Sequence, residues 1–490
     1  MEGLDRATMA GAPEDLLSTP RVVPRVLPSP TWGQLARRTA ATATALARHL
    51  GPVAVRARNG PARRAALPSA LRGAFEELGA TFVKLGQLVA SSPGVFGEEV
   101  AEEFRTCLDT GPAVPLDQVR DTVEADLGLR LSDAFAEVDP WPVGQASIAV
   151  VHRARLADGR PVALKVLRPG IDATVATDLA LIRPLLELAV HQTGDQTLTQ
   201  LAQQLDGFRQ QLGEELDLRN EGRAMAHYRA LLGRIDLPLV TVPAPFPELS
   251  GPRVLTMEYL DGVPVDDLAQ VADLGYDPRP LVEQVLRAWF VTAIRWGMFH
   301  GDVHAGNLRL LRDGRIAVLD WGIVGRLDPE THGYFRRILE AALGDESAWD
   351  DVARHVAAQY GSAVDQVGLD HEGLRALVRA TVEPLLTRPF GEVSLSTLLR
   401  APQDQIDRSL GGAARSRSLR ARLRRVRAQR RVRALTEAEG LHGSDWDRGT
   451  FLLAKQLLYF ERYGRLFLPD VPLLGDRSFL RAVLAEDPAG

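Results

Sequence analysis

The sequence predicts an α+β chain of two lobes, with helical segments before and after them. Three observations carry this. Short stretches of alternating apolar residues, Val150–Ala154, Arg160–Val166 and Arg253–Glu258, read as strands. Longer stretches with apolar residues three and four apart, at 198–228 and 281–299, read as helices. The length of 490 residues exceeds one small domain and suits a two-lobed core with additions.

In chain order, residues 1–30 are rich in Pro, Gly and small polar residues and are expected as a disordered tail. Residues 31–115 form a helical N-terminal extension, broken near Gly51-Pro52 and Gly60-Pro61. The first lobe is expected over 116–260 and holds the strands, with Asp158-Gly159 as a hairpin turn. The second lobe spans 261–390, and a C-terminal helical region spans 391–490 with punctuation at Gly411-Gly412. No internal repeat is visible.

A net charge of −5 gives no global basic field, so a nucleic-acid partner is not expected. The single cysteine, Cys107, excludes an intrachain disulfide framework and a cysteine metal cluster, which suits a reducing, cytoplasmic setting. The N-terminus has no basic segment leading into an apolar run, so no signal peptide is read. The most apolar long segment, Leu281–Phe299, is interrupted by Glu283, Arg287 and Arg295 and reads as a buried amphipathic helix, not a membrane span. Of 58 basic residues only three are lysine: Lys84, Lys165 and Lys455. Where arginine is so favoured, a retained lysine marks a position that needs a compact ammonium.

The chemistry concentrates near residue 310. His300-Gly-Asp302-Val-His304-Ala-Gly-Asn307 is followed by Val318-Leu-Asp320-Trp321-Gly322. An acid, an Asn five positions on and a second acid thirteen beyond that is the spacing of a phosphoryl-transfer site in protein kinases. Upstream, Val-Ala-Leu-Lys165 is similar to the kinase strand whose Lys touches the α- and β-phosphates. The loop Gly144-Gln145-Ala146-Ser147 stands where a glycine-rich phosphate loop would be, with one Gly and small residues that let backbone approach phosphate. Glu258 lies on a strand running into a linker, the hinge position against which adenine docks in kinases. The fold expected is therefore protein-kinase-like and two-lobed. His300, Asp302 and His304 together invite a zinc reading, but the downstream Asp320 explains the same residues better.

Phe82-Val-Lys84-Leu-Gly86-Gln87-Leu matches a Lys-x-Gly-Gln motif, and Glu215-Leu-Asp217 a Glu-x-Asp motif, that ordinary kinases lack. With these, the chain resembles the UbiB/AarF (ADCK-type) atypical kinases from about Leu78 to Arg326. The resemblance implies an ATP-binding enzyme, an ATPase or small-molecule or lipid kinase, that supports isoprenoid quinone or lipid metabolism. It implies Lys165 on the phosphates of ATP, held by Glu221; Asp320 and Asn307 on Mg2+; and Asp302 orienting the attacking hydroxyl or water. It further implies that Lys84 and Gln87 reach the nucleotide site from the extension, near Glu215 and Asp217, and that Gly144 to Ser147 replaces an alanine-rich loop. The departures are Val150 in place of a Gln and Trp321 in place of the usual Phe; neither removes a charged ligand.

The runner-up class is the aminoglycoside and choline phosphotransferases, which share the His-Gly-Asp-x-His-x-Gly-Asn and Asp-Trp-Gly segments but not the two upstream motifs. A nucleotide-binding pseudokinase regulator ranks third, because every charged site residue is present. Arg415–Arg433 carries ten arginines and no acid, with Leu419, Leu423 and Val426 on one helical stripe, and is a candidate for peripheral contact with an anionic membrane. Partners expected are ATP and a lipid or quinone-precursor substrate, with the protein cytoplasmic or peripheral at the inner membrane face.

Overall fold

A computed structural model describes residues 20, 22–56, 60–90, 96, 98–107, 111–193, 196–367, 370–392, 448–472 and 476–485. Arg415–Arg433 lies outside them. The chain divides into two compact units: Met1–Ala230 with Pro243–Leu260, and Leu231–Val242 with Asp261–Gly490. Among the described residues no helix is long and apolar enough to cross a membrane.

The first unit begins with helices α1 (Trp32–Arg56), α2 (Gly60–Leu78), α3 (Ala80–Ala90), α4 (Glu98–Arg105) and α5 (Leu116–Leu127). Helix α1 continues through Pro52, where a break was expected; the missing N–H removes one helical hydrogen bond without ending the helix. The strands are β1 (Glu137–Gln145), β2 (Ala149–Arg155) and β3 (Pro161–Leu167), followed by α6 (Ile171–Thr193), α7 (Gln196–Glu215) and α8 (Leu218–Leu232). The chain then gives strand β4 (Val240–Thr241) to the second unit and returns with β5 (Val254–Glu258). The sheet order is β1-β2-β3-β5, all antiparallel.

Period-two alternation sorts β3. Val162, Leu164 and Val166 are buried with Val119, Val123 and Leu127 of α5, which places Lys165 on the opposite face. Gly159, at φ +85°, closes the β2–β3 hairpin. The periodic stretch 198–228, expected as one helix, is two: α7 and α8 part at Leu216–Asp217. Asp217 accepts from the backbone N–H of Arg219, a local bond that competes with helix continuation.

Residues 22–30, expected within a disordered tail, have no regular secondary structure but are tied down at Val23 and Arg25. Val23 N donates to Asn220 Oδ1 at 3.1 Å and Asn220 Nδ2 returns a bond to Val23 O at 2.9 Å. Arg25 N donates to Gly213 O at 2.8 Å, and its guanidinium pairs with Asp172 at 3.1 Å. A Pro-rich composition carries no sign of such distant partners.

In the second unit, β6 (Gly262–Pro264) precedes α9 (Arg279–Trp296), which Gly297 stops in a left-handed conformation at φ +62°. Then come β7 (Met298–His300), β8 (Leu308–Leu311), β9 (Ile316–Val318) and β10 (Val324–Arg326). Strand β7 pairs with β10, and a second sheet runs β4-β9-β8-β6. Helices α10 (Pro329–Ala342), α11 (Glu346–Val367), α12 (His371–Thr387), α13 (Arg448–Phe467) and α14 (Arg477–Ala485) follow. Val291 and Ile294 of α9 bury against Leu339 of α10 and Leu480 and Val483 of α14.

Candidate active site

The first unit holds two buried lysine–carboxylate pairs. Lys165 Nζ donates to both oxygens of Glu221, at 2.9 and 2.8 Å. Glu221 sits in the first turn of α8, where the helix N-terminus favours a negative charge. The two side chains are 11% and 3% exposed, so each charge depends on the other. Lys84, from α3, lies 3.0 Å from Glu215 at the end of α7, and Gln211 Nε2 donates to the same carboxylate at 2.9 Å. Asp217 is engaged elsewhere: Arg219 binds it at 2.7 Å. Gln87 lies in the same helix as Lys84.

The loop from Gly144 to Ser147 is a tight turn. Gly144 and Gln145 pair with Val151 and Val150, and Ala146 N donates to Ala149 O at 2.9 Å. Arg168, just past β3, donates from Nε to Ala146 O at 2.9 Å and from its backbone N to Ile148 O. Sequence reading did not single out Arg168; only its position after the strand was visible. Glu258, at the end of β5, directs its backbone N–H to Ala244 O at 2.8 Å and accepts the Ala244 N–H on its side chain.

The second unit holds Asp302, Asn307 and Asp320. Asp302 follows β7, and a single 3₁₀ turn over Ala305–Asn307 leads into β8. Asn307 Nδ2 donates to Asp302 O at 2.9 Å, fixing the two ends of the loop. Leu319, next to Asp320, is clamped on both sides: its N–H donates to Asn307 O at 2.8 Å and its carbonyl accepts His300 Nε2 at 2.9 Å. The loop thus determines where Asp320 stands. Asp320 itself has φ +53°, the one non-glycine residue with positive φ among those described. Asp tolerates this region better than most residues, but strained backbone of this kind concentrates at functional sites.

His300 is fully occupied. Nε2 donates to Leu319 O while Nδ1 accepts the Asp302 N–H at 3.0 Å. Burial pushes its pKa down, so the ring is neutral and structural, not a zinc ligand. His304 caps the 3₁₀ turn by accepting the Gly306 N–H. Trp321 is buried, stands edge-on to His300 at 4.5 Å and donates to Val318 O at 3.0 Å.

One contact was not foreseen. Lys455 Nζ, on α13, donates to Asp302 Oδ1 at 2.7 Å. Burial opposes the ionised carboxyl of Asp302, but the Lys455 ammonium and the His304 ring outweigh it and hold the group below the usual carboxylate range. The only signal in the sequence was the rarity of lysine. Phe451–Phe467 read simply as a packed helix.

A lysine–glutamate pair on a strand and helix, and an Asp–Asn–Asp set on clamped loops, define a kinase-like protein. The chain belongs to the ABC1 atypical kinase-like domain family, which matches residues 106–352. It is 33% identical to an uncharacterized aarF domain-containing protein kinase, chloroplastic, of Arabidopsis thaliana, over 84% of this chain and 74% of that one. An uncharacterized protein of Mycobacterium tuberculosis is 32% identical over 82% of this chain and 75% of its own length. A protein named probable protein kinase UbiB, from Azotobacter vinelandii, is 33% identical over 69% of this chain and 63% of its own. The fold is kinase-like α+β, with helices before and after the sheets.

Proposed function

We propose that this chain is an atypical kinase or ATPase that binds ATP with Mg2+, Lys165 taking the α- and β-phosphates and Asn307 and Asp320 taking the metal. The single observation that carries the reading is the bidentate Lys165–Glu221 pair, which presents one desolvated ammonium at a fixed place on β3. The donors suit magnesium. A carboxylate and an amide oxygen are hard ligands, and magnesium takes few protein ligands beside phosphate and water. Bound Mg2+ supplies charge neutralisation for phosphoryl transfer. The chain's own residues do the rest. Glu221 fixes the Lys165 ammonium, Asn307 and Leu319 hold the loop in register, and Asp302 orients the hydroxyl or water that attacks.

Lys84 and Gln87, with Glu215 and Asp217, are proposed to tune the nucleotide site. So are the Gly144–Ser147 turn and Glu258. The biological setting we propose, isoprenoid quinone or lipid metabolism, follows the family resemblance.

Calorimetric titration with magnesium ADP and a non-hydrolysable ATP analogue tests the reading. Wild type is expected to bind, with Lys165→Met and Asp320→Asn at least about tenfold weaker, a loss of about 1.4 kcal/mol or more. Absence of affinity in wild type overturns it. The quinone and lipid profile of cells lacking the protein, complemented by wild type and by Asp320→Asn, tests the setting.

A further inference from the structure

We propose that Lys455 is a positioning residue of the active site, supplied by α13 to fix the carboxylate of Asp302; the inference rests on the nucleotide reading above. Lys455 is 153 positions from Asp302 in sequence and 2.7 Å from it in space. The ion pair is not alone in joining the helix to the loop. Gln456, fully buried, accepts the Val303 N–H at 2.8 Å and donates to Gly301 O at 2.6 Å. Tyr463 donates to Val303 O at 2.9 Å. Three neutral hydrogen bonds on either side of Asp302 already dock the loop on α13. Beside those bonds, the ammonium contacts the one carboxylate expected to orient the acceptor.

The pair is also polarised in a useful way. Oδ1 is taken by Lys455, while Oδ2 faces His304 Nε2 at 3.9 Å. The carboxylate is therefore held in one rotation, and Oδ2 is the oxygen offered to the hydroxyl or water. Lys84, Lys165 and Lys455 are the only lysines of the chain. Each of them lies on a motif carboxylate: Glu215, Glu221 and Asp302. In a chain that otherwise uses arginine, a planar fork at 455 would span both oxygens of Asp302, whereas the Lys455 ammonium engages Oδ1 and leaves Oδ2. That difference gives a chemical reason for lysine at 455.

Three lysines make the test direct. Lysine-selective ¹³Cε labelling of the full chain gives three side-chain signals, assigned by Lys→Arg variants. Asp302→Asn is expected to move the Lys455 signal and leave the Lys84 signal in place. In ATP turnover, Lys455→Met is expected to lower kcat at least tenfold while the affinity for the magnesium ATP analogue stays within twofold. Lys455→Arg should recover only part of kcat. Lys455→Met combined with Asp302→Asn should be no slower than Asp302→Asn alone, because both act through one carboxylate. If Lys455→Met does not fold, the Lys455→Arg rates and the Asp302→Asn signals decide. An unmoved Lys455 signal, wild-type kcat in Lys455→Met, or losses that multiply in the double variant overturn the proposal. A Lys165 signal that shifts with nucleotide, alongside normal turnover in Lys455→Met, sinks this inference alone. A Lys165 signal indifferent to nucleotide sinks the nucleotide reading, and this inference with it.

Discussion

Lys84 Nζ and Glu215 Oε2 lie 3.0 Å apart, joining α3 of the N-terminal extension to the end of α7. The side chains are 13% and 5% exposed, so removal of one strands the other. Lys84→Ala is therefore expected to destabilise the protein by about 3 kcal/mol, the scale for breaking a buried pair. Glu215→Gln in the Lys84→Ala background should restore part of the loss, because a neutral amide has no charge to strand. Thermal or urea unfolding of the three proteins checks this; equal stability of all three would show that the pair is solvated. If Lys84 also tunes the nucleotide site, Lys84→Ala changes nucleotide preference or ATPase rate, and unchanged values of both sink that role.

Asp320 separates fold from chemistry. Its φ of +53° is tolerated by Asn about as well as by Asp, but not by a β-branched residue. Asp320→Asn should leave the melting temperature within a few degrees and remove magnesium-dependent nucleotide affinity. Asp320→Val should lose affinity and about 2 kcal/mol of stability as well, the scale of strain at such a site. Equal melting temperatures for the two variants would contradict the backbone argument.

His300 makes stability depend on pH. Burial holds its folded pKa below the ordinary value of 6.5, against the opposing influence of the nearby Asp302 and Asp320. Below 6.5 the unfolded chain binds a proton that the folded chain refuses, so stability falls as pH falls through that point. The slope approaches about 1.4 kcal/mol per pH unit until the folded group titrates too. Urea midpoints between pH 7.5 and 5 measure it, and His300→Gln should flatten the curve. A midpoint that rises on acidification in wild type but not in the variant would reverse the sign and refute the account.

Trp321 is more than a larger Phe. The indole N–H donates to Val318 O at 3.0 Å, and the ring is 1% exposed beside His300. Trp321→Phe removes a buried hydrogen bond and leaves unfilled volume, for an expected loss of about 2 kcal/mol. Calorimetric melting checks this. A variant as stable as wild type would mean that the site refills on its own.

Several elements were legible because their determinants are local. The β2–β3 hairpin was readable from Asp158-Gly159 and the flanking alternation, and α9 from its apolar spacing, although that spacing carried the helix on to Phe299, past its stop at Gly297. The break between α7 and α8 was not, since periodicity continues across it. It arises where Asp217 takes the backbone N–H of Arg219 and Leu218 N finds Pro252 O, 34 positions on in sequence, at 2.9 Å. The docking of residues 22–30 was hidden for the same reason. Its partners, Asn220, Gly213 and Asp172, lie far along the chain.

The order and spacing of Lys84, Lys165, Glu215, Glu221, Asp302, Asn307 and Asp320 were sufficient to name the family and the kind of fold, since each motif is a short run of residue types. Which charges meet was a matter for the folded chain. That Lys84 meets Glu215, and that Asp302 receives Lys455, depends on side chains brought within 3.0 Å by packing, whereas Asp217 is taken by Arg219, two positions on. Ion pairing falls off with distance and strengthens as water is excluded. Both quantities belong to three-dimensional neighbours: the motifs pointed to Glu221 for Lys165, but nothing in their order pointed to Lys455 for Asp302.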